Sequence, residues 1–545
     1  MESPPTYPIT GIKTDGDSPI RKDIDDWYQE QTDASGDRIQ LTLFVEALTK
    51  IQARPLSDER SYFRLAGIHS APWTSWDYVT PSGTGSEGSF CTHNNYTFPT
   101  WHRVYMTLFE QVVYETMIDY IDEAAGVSDA EKDKWKREAD QWRLPYWDFA
   151  RFAKNDDGTT TGKLSGPILA TLPQVEVKEL STGKPVVKTN PLYKFEAEKL
   201  MGQLEPPYTI NDQPDGSDTI PFSKCQSTTK YGLRKGEDQS AWADAGQNWK
   251  LVVLALNEHP WYQNQDNIPN LQDMVFRLLR TENKSWSQFS TTRDGDSDPA
   301  AWMNLEAIHN NIHNWVGGSF FDIPEAGKDK RLWGCGHMSE VPVAAFDPIF
   351  WVYHCNIDRL TAIWQSLNPE NWFDGDSESS LYNELTPFHK DKEATTFKSN
   401  DVRDWRKLGY EYAITKKDTE DIKKDIDELY GNESLTRDSV PKRDYILSIR
   451  YDRYALGGSP FLINIFFEDV DRKDFYDTKS KNFIGSVFNF SANIHGTDCG
   501  NCIRQQQDSV RSVSQLPATF AVEHYQKDKE YPEVYYVVVN SLGKV

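Results

Sequence analysis

Basic residues are in short supply. The 545-residue chain carries 59 Lys and Arg against 83 Asp and Glu, a formal net charge of −24. Such a surface repels phosphate backbones and anionic headgroups, which argues against nucleic acid and membrane surfaces as partners. Long apolar runs are missing too. The longest strand-like one, Val534 to Val539, is far too short to span a bilayer. Six cysteines, at positions 91, 225, 335, 355, 499 and 502, are too sparse for a disulfide scaffold. The opening Met-Glu-Ser-Pro-Pro-Thr-Tyr-Pro lacks the charged-then-apolar pattern of a secretory leader. Four Asn-x-Ser/Thr triplets, at Asn95, Asn283, Asn432 and Asn489, are what chance supplies in this length. The expectation is a soluble intracellular, cytoplasmic protein.

Aromatic residues are plentiful: 18 Trp, 26 Tyr and 26 Phe within a hydrophobic fraction of 38% suit a globular enzyme rather than a disordered chain. Histidine is scarce but concentrated. Of only 11, two stand at i and i+4 in Glu306-Ala-Ile-His309-Asn310-Asn-Ile-His313, and a third follows in Phe350-Trp-Val-Tyr-His354. His69, Cys91-Thr92-His93 and Thr100-Trp101-His102 supply three more. Histidines four apart on a helix project from one face, so His309 and His313 can reach one ion together. Six imidazoles in two sets of three suit two borderline-soft ions, with copper ahead of zinc. Any one of these histidines alone is as readily a satisfied core residue; the whole constellation is not.

Apolar spacing predicts helices over 41–52, 104–124, 130–142 and 356–367, and residues 164–240 read as loops and short strands. Residues 413–443 are charged and aperiodic, a candidate solvated, protease-sensitive linker. Beyond them, Tyr445-Ile-Leu-Ser-Ile-Arg-Tyr, the runs opening at Phe461 and Phe483, Thr519-Phe-Ala-Val-Glu-His-Tyr and the run opening at Val534 read as short strands. They fit a small antiparallel sandwich.

The segments Gly67-Ile68-His69, Phe90-Cys91-Thr92-His93, Phe98-Pro99-Thr100-Trp101-His102-Arg103, Pro145-Tyr146-Trp147-Asp148, Glu306-x-x-His309-Asn310, Gly336-His337-Met338 and Ala345-Phe346-Asp347-Pro348-Ile349-Phe350-Trp351 resemble the type-3 copper family, and within it the fungal tyrosinases. The match runs to about Tyr412. It implies a mainly α catalytic domain over 1–412 with a helical bundle around a dicopper centre, the linker over 413–443, and an all-β sandwich lid domain over 444–545. By that resemblance His69, His93 and His102 would bind one copper, and His309, His313 and His354 the other. His337 matches a family position that is not a ligand.

A Cys-x-His pair at this place implies a thioether between Cys91 and a ring carbon of His93. Phe350 matches the residue packed over the dicopper cavity and Val341 a small gate beside it. Glu306 and Asn310 match residues that hold a water able to take the phenol proton, which a group of pKa about 10 must lose before hydroxylation. Tyr410-Glu411-Tyr412 resembles the motif that closes the catalytic domain, with Arg21 its candidate partner. Phe490, with Phe488 as runner-up, would enter the cavity as a plug, and cleavage in the linker by an activating protease would release it. Cys499-Gly-Asn-Cys502 would capture Cu(I), or else form a plain thiol pair or disulfide.

The implied function is O2-dependent ortho-hydroxylation of monophenols and oxidation of o-diphenols to o-quinones, the first step toward melanin-type pigment. Phenols and O2 are the expected small-molecule partners. A catechol or o-aminophenol oxidase without monophenolase activity is the alternative, and a haemocyanin-like oxygen carrier the remote one. Tyr353 departs from many fungal relatives, which have a histidine there, and residues 322–335 carry extra charge; both bear on substrate access.

Overall fold

The computed structural model describes residues 6–81, 90–155, 157–215, 218–234, 246–258, 270–281, 284–295, 303–318, 320–322, 331–431, 445–471, 482–493, 500–519, 521–522 and 533–541. Among the helices of the first part are α1 (Ile24–Thr32), α2 (Ile39–Gln52), α3 (Phe98–Glu123), α4 (Asp129–Gln141), α5 (Leu305–Gly317), α6 (Ile349–Leu367) and α7 (Thr419–Tyr430). α3 lies at the centre and packs against α2, α4 and α6, while α5 crosses α6.

Two helices begin earlier than apolar spacing predicts, and both carry histidines of the expected set. α3 opens at Phe98 with Pro99 in its first turn, where a missing N–H costs nothing. α6 opens at Ile349 behind Pro348. Both are buried on nearly all sides. A helix without a wet face shows no amphipathic stripe, so its true start is invisible to periodicity. His102 and His354 therefore sit inside helices rather than before them.

Residues 164–240 form the expected loops and short strands, such as the hairpin of Gln174–Lys178 and Pro185–Thr189. The expected linker is different from its prediction. Its first half is α7, capped by the Asp418 side chain on the Asp421 N–H and burying Ile422, Ile426 and Tyr430 at four-residue spacing. The Tyr430 hydroxyl donates to Asp148 (2.6 Å) and accepts from Arg359 (2.9 Å), which fastens α7 to the helical part. Three buried positions among many charges are easily read as a solvated run. Residues 432–444 lie outside the described residues.

Among the described residues the C-terminal part holds two antiparallel sheets. β1 (Ile446–Asp452) pairs with β4 (Arg511–Pro517), and β2 (Phe461–Phe466) lies between β3 (Phe483–Asn489) and β5 (Tyr535–Asn540). A helix, α8 (Gly500–Gln507), interrupts the β texture. The strand expected at 519–525 is absent from its described positions: Thr519, Ala521 and Val522 are helical, and the strand is β4 instead. β4 was hidden because its buried Ser and Gln residues face a polar partner. Val513 N–H donates to Thr292 O (2.7 Å), Asp294 N–H to Arg511 O (3.0 Å), and Asn304 to the Gln515 side chain (3.1 Å).

Under α3 and α6 lies a buried ionic cluster. Asp358 meets Arg103 (2.5 Å) and Arg21 (3.2 Å), and Arg21 also meets Glu110 (2.9 Å). Tyr410 and Tyr412 both donate to Asp358 at 2.7 Å, and the Arg21 guanidinium lies 3.4 Å over the Tyr410 ring. Arg21 is thus the partner of the tyrosine motif, as expected. Burial pushes the Asp358 pKa up, but Arg103 and Arg21 outweigh it and hold the carboxylate below its usual range. Replacing Asp358 by Asn leaves buried guanidinium charge under-compensated, a loss of about 3–5 kcal/mol. Thermal unfolding of copper-free Asp358→Asn protein should show a melting temperature several degrees lower; an unchanged one would mean the cluster is not a stability element.

Candidate metal centre

All six expected histidines converge in the interior. His69 follows the short helix Tyr62–Gly67, His93 lies on a turn, His102 is in the first turns of α3, His309 and His313 are on α5, and His354 is on α6. Ligand atoms of His69, His93 and His102 lie within 4.8 Å of one another, and so do those of His102, His309 and His354. His313 completes the second set, with its Nε2 3.0 Å from His309 Nε2, which is 3.1 Å from His354 Nε2. The two sets abut: the His102 and His354 rings stack at 4.9 Å, and those of His93 and His309 are 5.4 Å apart.

Five of the six rings are oriented through their other nitrogen. His69 Nδ1 meets the Val341 carbonyl (3.1 Å), His102 that of Phe98 (2.8 Å), His313 that of Met338 (2.7 Å) and His354 that of Phe350 (3.0 Å). His309 Nδ1 meets the Asn310 side-chain oxygen (2.9 Å). An Nδ1–H given to a carbonyl leaves Nε2 as the lone-pair nitrogen, so the tautomer is set for ligation. Burial drives every one of these imidazole pKa values down, that of His69 to about 4, which keeps the rings neutral. His93 and His102 Nε2 are buried without a hydrogen-bond partner. Neutral, dry, convergent imidazole nitrogens fit two copper ions. His337 serves elsewhere: its Nδ1 accepts the Thr229 N–H (3.2 Å) against Phe222.

Phe350 stacks on His354 at 3.8 Å, and Val341 is buried beside His69. Cys91 Sγ lies 3.3 Å from His93 Nδ1. Glu306 Oε1 accepts the Asn94 N–H (2.6 Å), while Oε2 accepts from the Thr291 hydroxyl (2.7 Å) and Thr292 N–H (2.9 Å). Asn310 Nδ2 is buried and unpartnered. From the C-terminal part, Phe490 stacks on His313 at 3.9 Å and 15°, with His93 at 5.2 Å and His309 at 5.6 Å. Phe488 stands behind it, 6.3 Å from Phe490. Cys502 is disulfide-bonded, and Cys499 lies outside the described residues.

Sequence reading missed Tyr353, treated there only as a departure. Its hydroxyl donates to the His309 carbonyl (2.8 Å), and its ring packs on His309 and His313. Its place three residues after Phe350 on a helix was the available signal. The Gly336-His337-Met338 motif likewise had no assigned role; it presents the Met338 carbonyl to His313.

Comparison with known proteins agrees with this geometry. The common central domain of tyrosinase matches residues 59–367, and the tyrosinase C-terminal domain matches residues 444–536. A tyrosinase of Aspergillus fumigatus is 41% identical over 562 residues, spanning 97% of this chain and 86% of that protein. Polyphenol oxidase 3 of Agaricus bisporus is 30% identical, spanning 68% and 58%. The crystal structure of apo-protyrosinase from Aspergillus oryzae superposes with a TM-score of 0.86 at 56% identity, covering 99% of this chain and 92% of that one. One family accounts for the helical part, the β part and their order, and this chain belongs to it: the tyrosinases, dicopper enzymes that use O2 to hydroxylate monophenols and oxidise o-diphenols.

Proposed function

We propose that the chain is a latent tyrosinase in which Phe490 occupies the place of the substrate ring. The carrying observation is the parallel contact of Phe490 with His313 at 3.9 Å, with the His93 and His309 rings also beside it. A phenol is a benzene ring of the same width, so the side chain competes with substrate directly. Copper, when bound, supplies O2 binding and the electron transfer. The protein supplies the rest. Stacking on His313 orients the aromatic ring, while Phe350 and Val341 keep the far wall dry.

Glu306 accepts from three donors, which fix the position of its side chain. Asn310 Nδ2 is the donor left for a water beside it. In this reading such a water takes the phenol proton under the pull of the Glu306 carboxylate. The proximity of Cys91 Sγ to the His93 ring supports the thioether, which would restrain a ligand that no helix holds. The quinone product is the starting material for melanin-type pigment.

The plug is tethered, so its effective concentration is high and a weak contact suffices. An activating protease would act within residues 431–443, because a cut inside α7 requires unfolding its buried face. Phe490→Gly should raise phenol oxidation by the uncut chain at least tenfold, approaching the level reached after limited proteolysis. Oxygen uptake checks this, and uncut parent protein as active as the cleaved form would refute latency. Glu306→Gln should lower monophenol turnover about tenfold or more, with a smaller loss on a catechol, because only the monophenol needs help with its proton. Equal losses would leave Glu306 a purely structural part. Catechol conversion alone by the cleaved parent would select the catechol oxidase reading.

A further inference from the structure

Five of the six ligand rings are anchored on carbonyls or amides within the helical part. His93 is the exception. Its Nδ1 faces Cys91 rather than a carbonyl, and it lies on a turn whose next residue, Asn94, has a positive φ of 53°. Asn tolerates that left-handed backbone better than most residues, but only within a structure that defines it. The surroundings that define it come largely from the C-terminal domain.

Gln505 Nε2, on α8, donates to the carbonyls of both His93 (3.0 Å) and Asn94 (3.1 Å). Asn501 Nδ2, one helical turn earlier, donates to the His93 carbonyl as well (3.2 Å). Ser512 Oγ, on β4, donates to Asn94 Oδ1 (3.1 Å), which also accepts from Thr292 Oγ1 (3.1 Å). Gln505 is 4% exposed, and its Oε1 accepts the Tyr454 hydroxyl (2.8 Å), which sets which way the amide points. On the opposite side Glu306 accepts the Asn94 N–H. The turn is thus held between α5 and α8.

We propose that Asn501 and Gln505 are positioning residues for the first copper site: the C-terminal domain braces the His93 turn through a contact separate from the Phe490 plug. The proposal rests on the dicopper reading but not on latency. It gives the domain two roles at one surface. The plug keeps substrate out, and the brace keeps a ligand in. Cleavage that removes the plug also leaves the His93 and Asn94 carbonyls to water, so the activated enzyme holds its first copper less firmly than the latent one.

The test compares full-length parent, Gln505→Ala, Asn501→Ala and Phe490→Gly by hydrogen exchange, in copper-free and copper-loaded protein, and by copper loss to a chelator. Unchanged exchange across Phe483–Asn489 reports that the domain remains docked. The expected result is at least tenfold faster exchange of the Asn94 amide in Gln505→Ala, a smaller rise in Asn501→Ala, and parent-like protection in Phe490→Gly. Copper-loaded Gln505→Ala should release one of its coppers at least tenfold faster than the other. Parent-like Asn94 exchange in both amide variants would overturn the brace. So would equal deprotection by Phe490→Gly, which would assign the protection to the plug. Where Gln505→Ala does not fold, Asn501→Ala alone decides. The copper-free exchange arm answers for the brace whatever the metal content, so failure of the dicopper reading would show only in the release arm.

Discussion

Six imidazoles share one dry cavity, and this constraint governs the rest of the molecule. Lone pairs of neutral rings repel when they point at a common centre without a cation, and burial prevents protons from serving as that cation. The cage must therefore be held by forces outside it. Those forces are the carbonyls on the Nδ1 atoms, the packing of Tyr353 and Phe350 on ring faces, and the helices α3, α5 and α6 beneath. Their stiffness in turn depends on the ion pairs under α3 and α6. Lys230 on Asp347, buried at 2.8 Å, does the same for the segment leading into α6. Charge lies behind the site and aromatic surface within it.

How much of this was legible in the sequence follows from what leaves a mark in one dimension. The convergent histidines were legible because histidine is rare here and because a helical i, i+4 pair needs no knowledge of the fold. Arg21 and Phe490 were reached only by resemblance; no local pattern announces a cation meeting a tyrosine motif almost 390 residues away. Helix starts at Phe98 and Ile349 were lost because full burial erases periodicity. The Tyr353 contact was lost because a tyrosine beside a ligand looks like any core aromatic. β4 and α7 failed for the opposite reason: each is polar or charged on paper, and each buries what matters against a polar or sparse apolar surface.

The two parts of the chain meet by an unusual mixture of forces for one interface. Phe490 supplies the apolar insertion, while β4 and α8 supply main-chain and amide hydrogen bonds to Thr292, Asp294, His93 and Asn94. Hydrogen bonds of this kind contribute roughly 1 kcal/mol each, but a buried group left without its partner costs more. Separation is therefore unfavourable chiefly because it exposes unmatched polar groups. This makes the contact specific for one geometry, and weak against conditions that solvate amides.

A last consequence lies in the tyrosine motif. Residues 19–21 run beside Glu411: Arg21 N–H donates to the Glu411 carbonyl (2.9 Å), and Glu411 N–H donates to that of Pro19 (3.0 Å). Two stretches distant in sequence thus run side by side, tied through Arg21 and Tyr410 to the Asp358 carboxylate. A chain pinned in this way near its entry and again beyond its last copper-site helix cannot fray at one of these points without loosening the other.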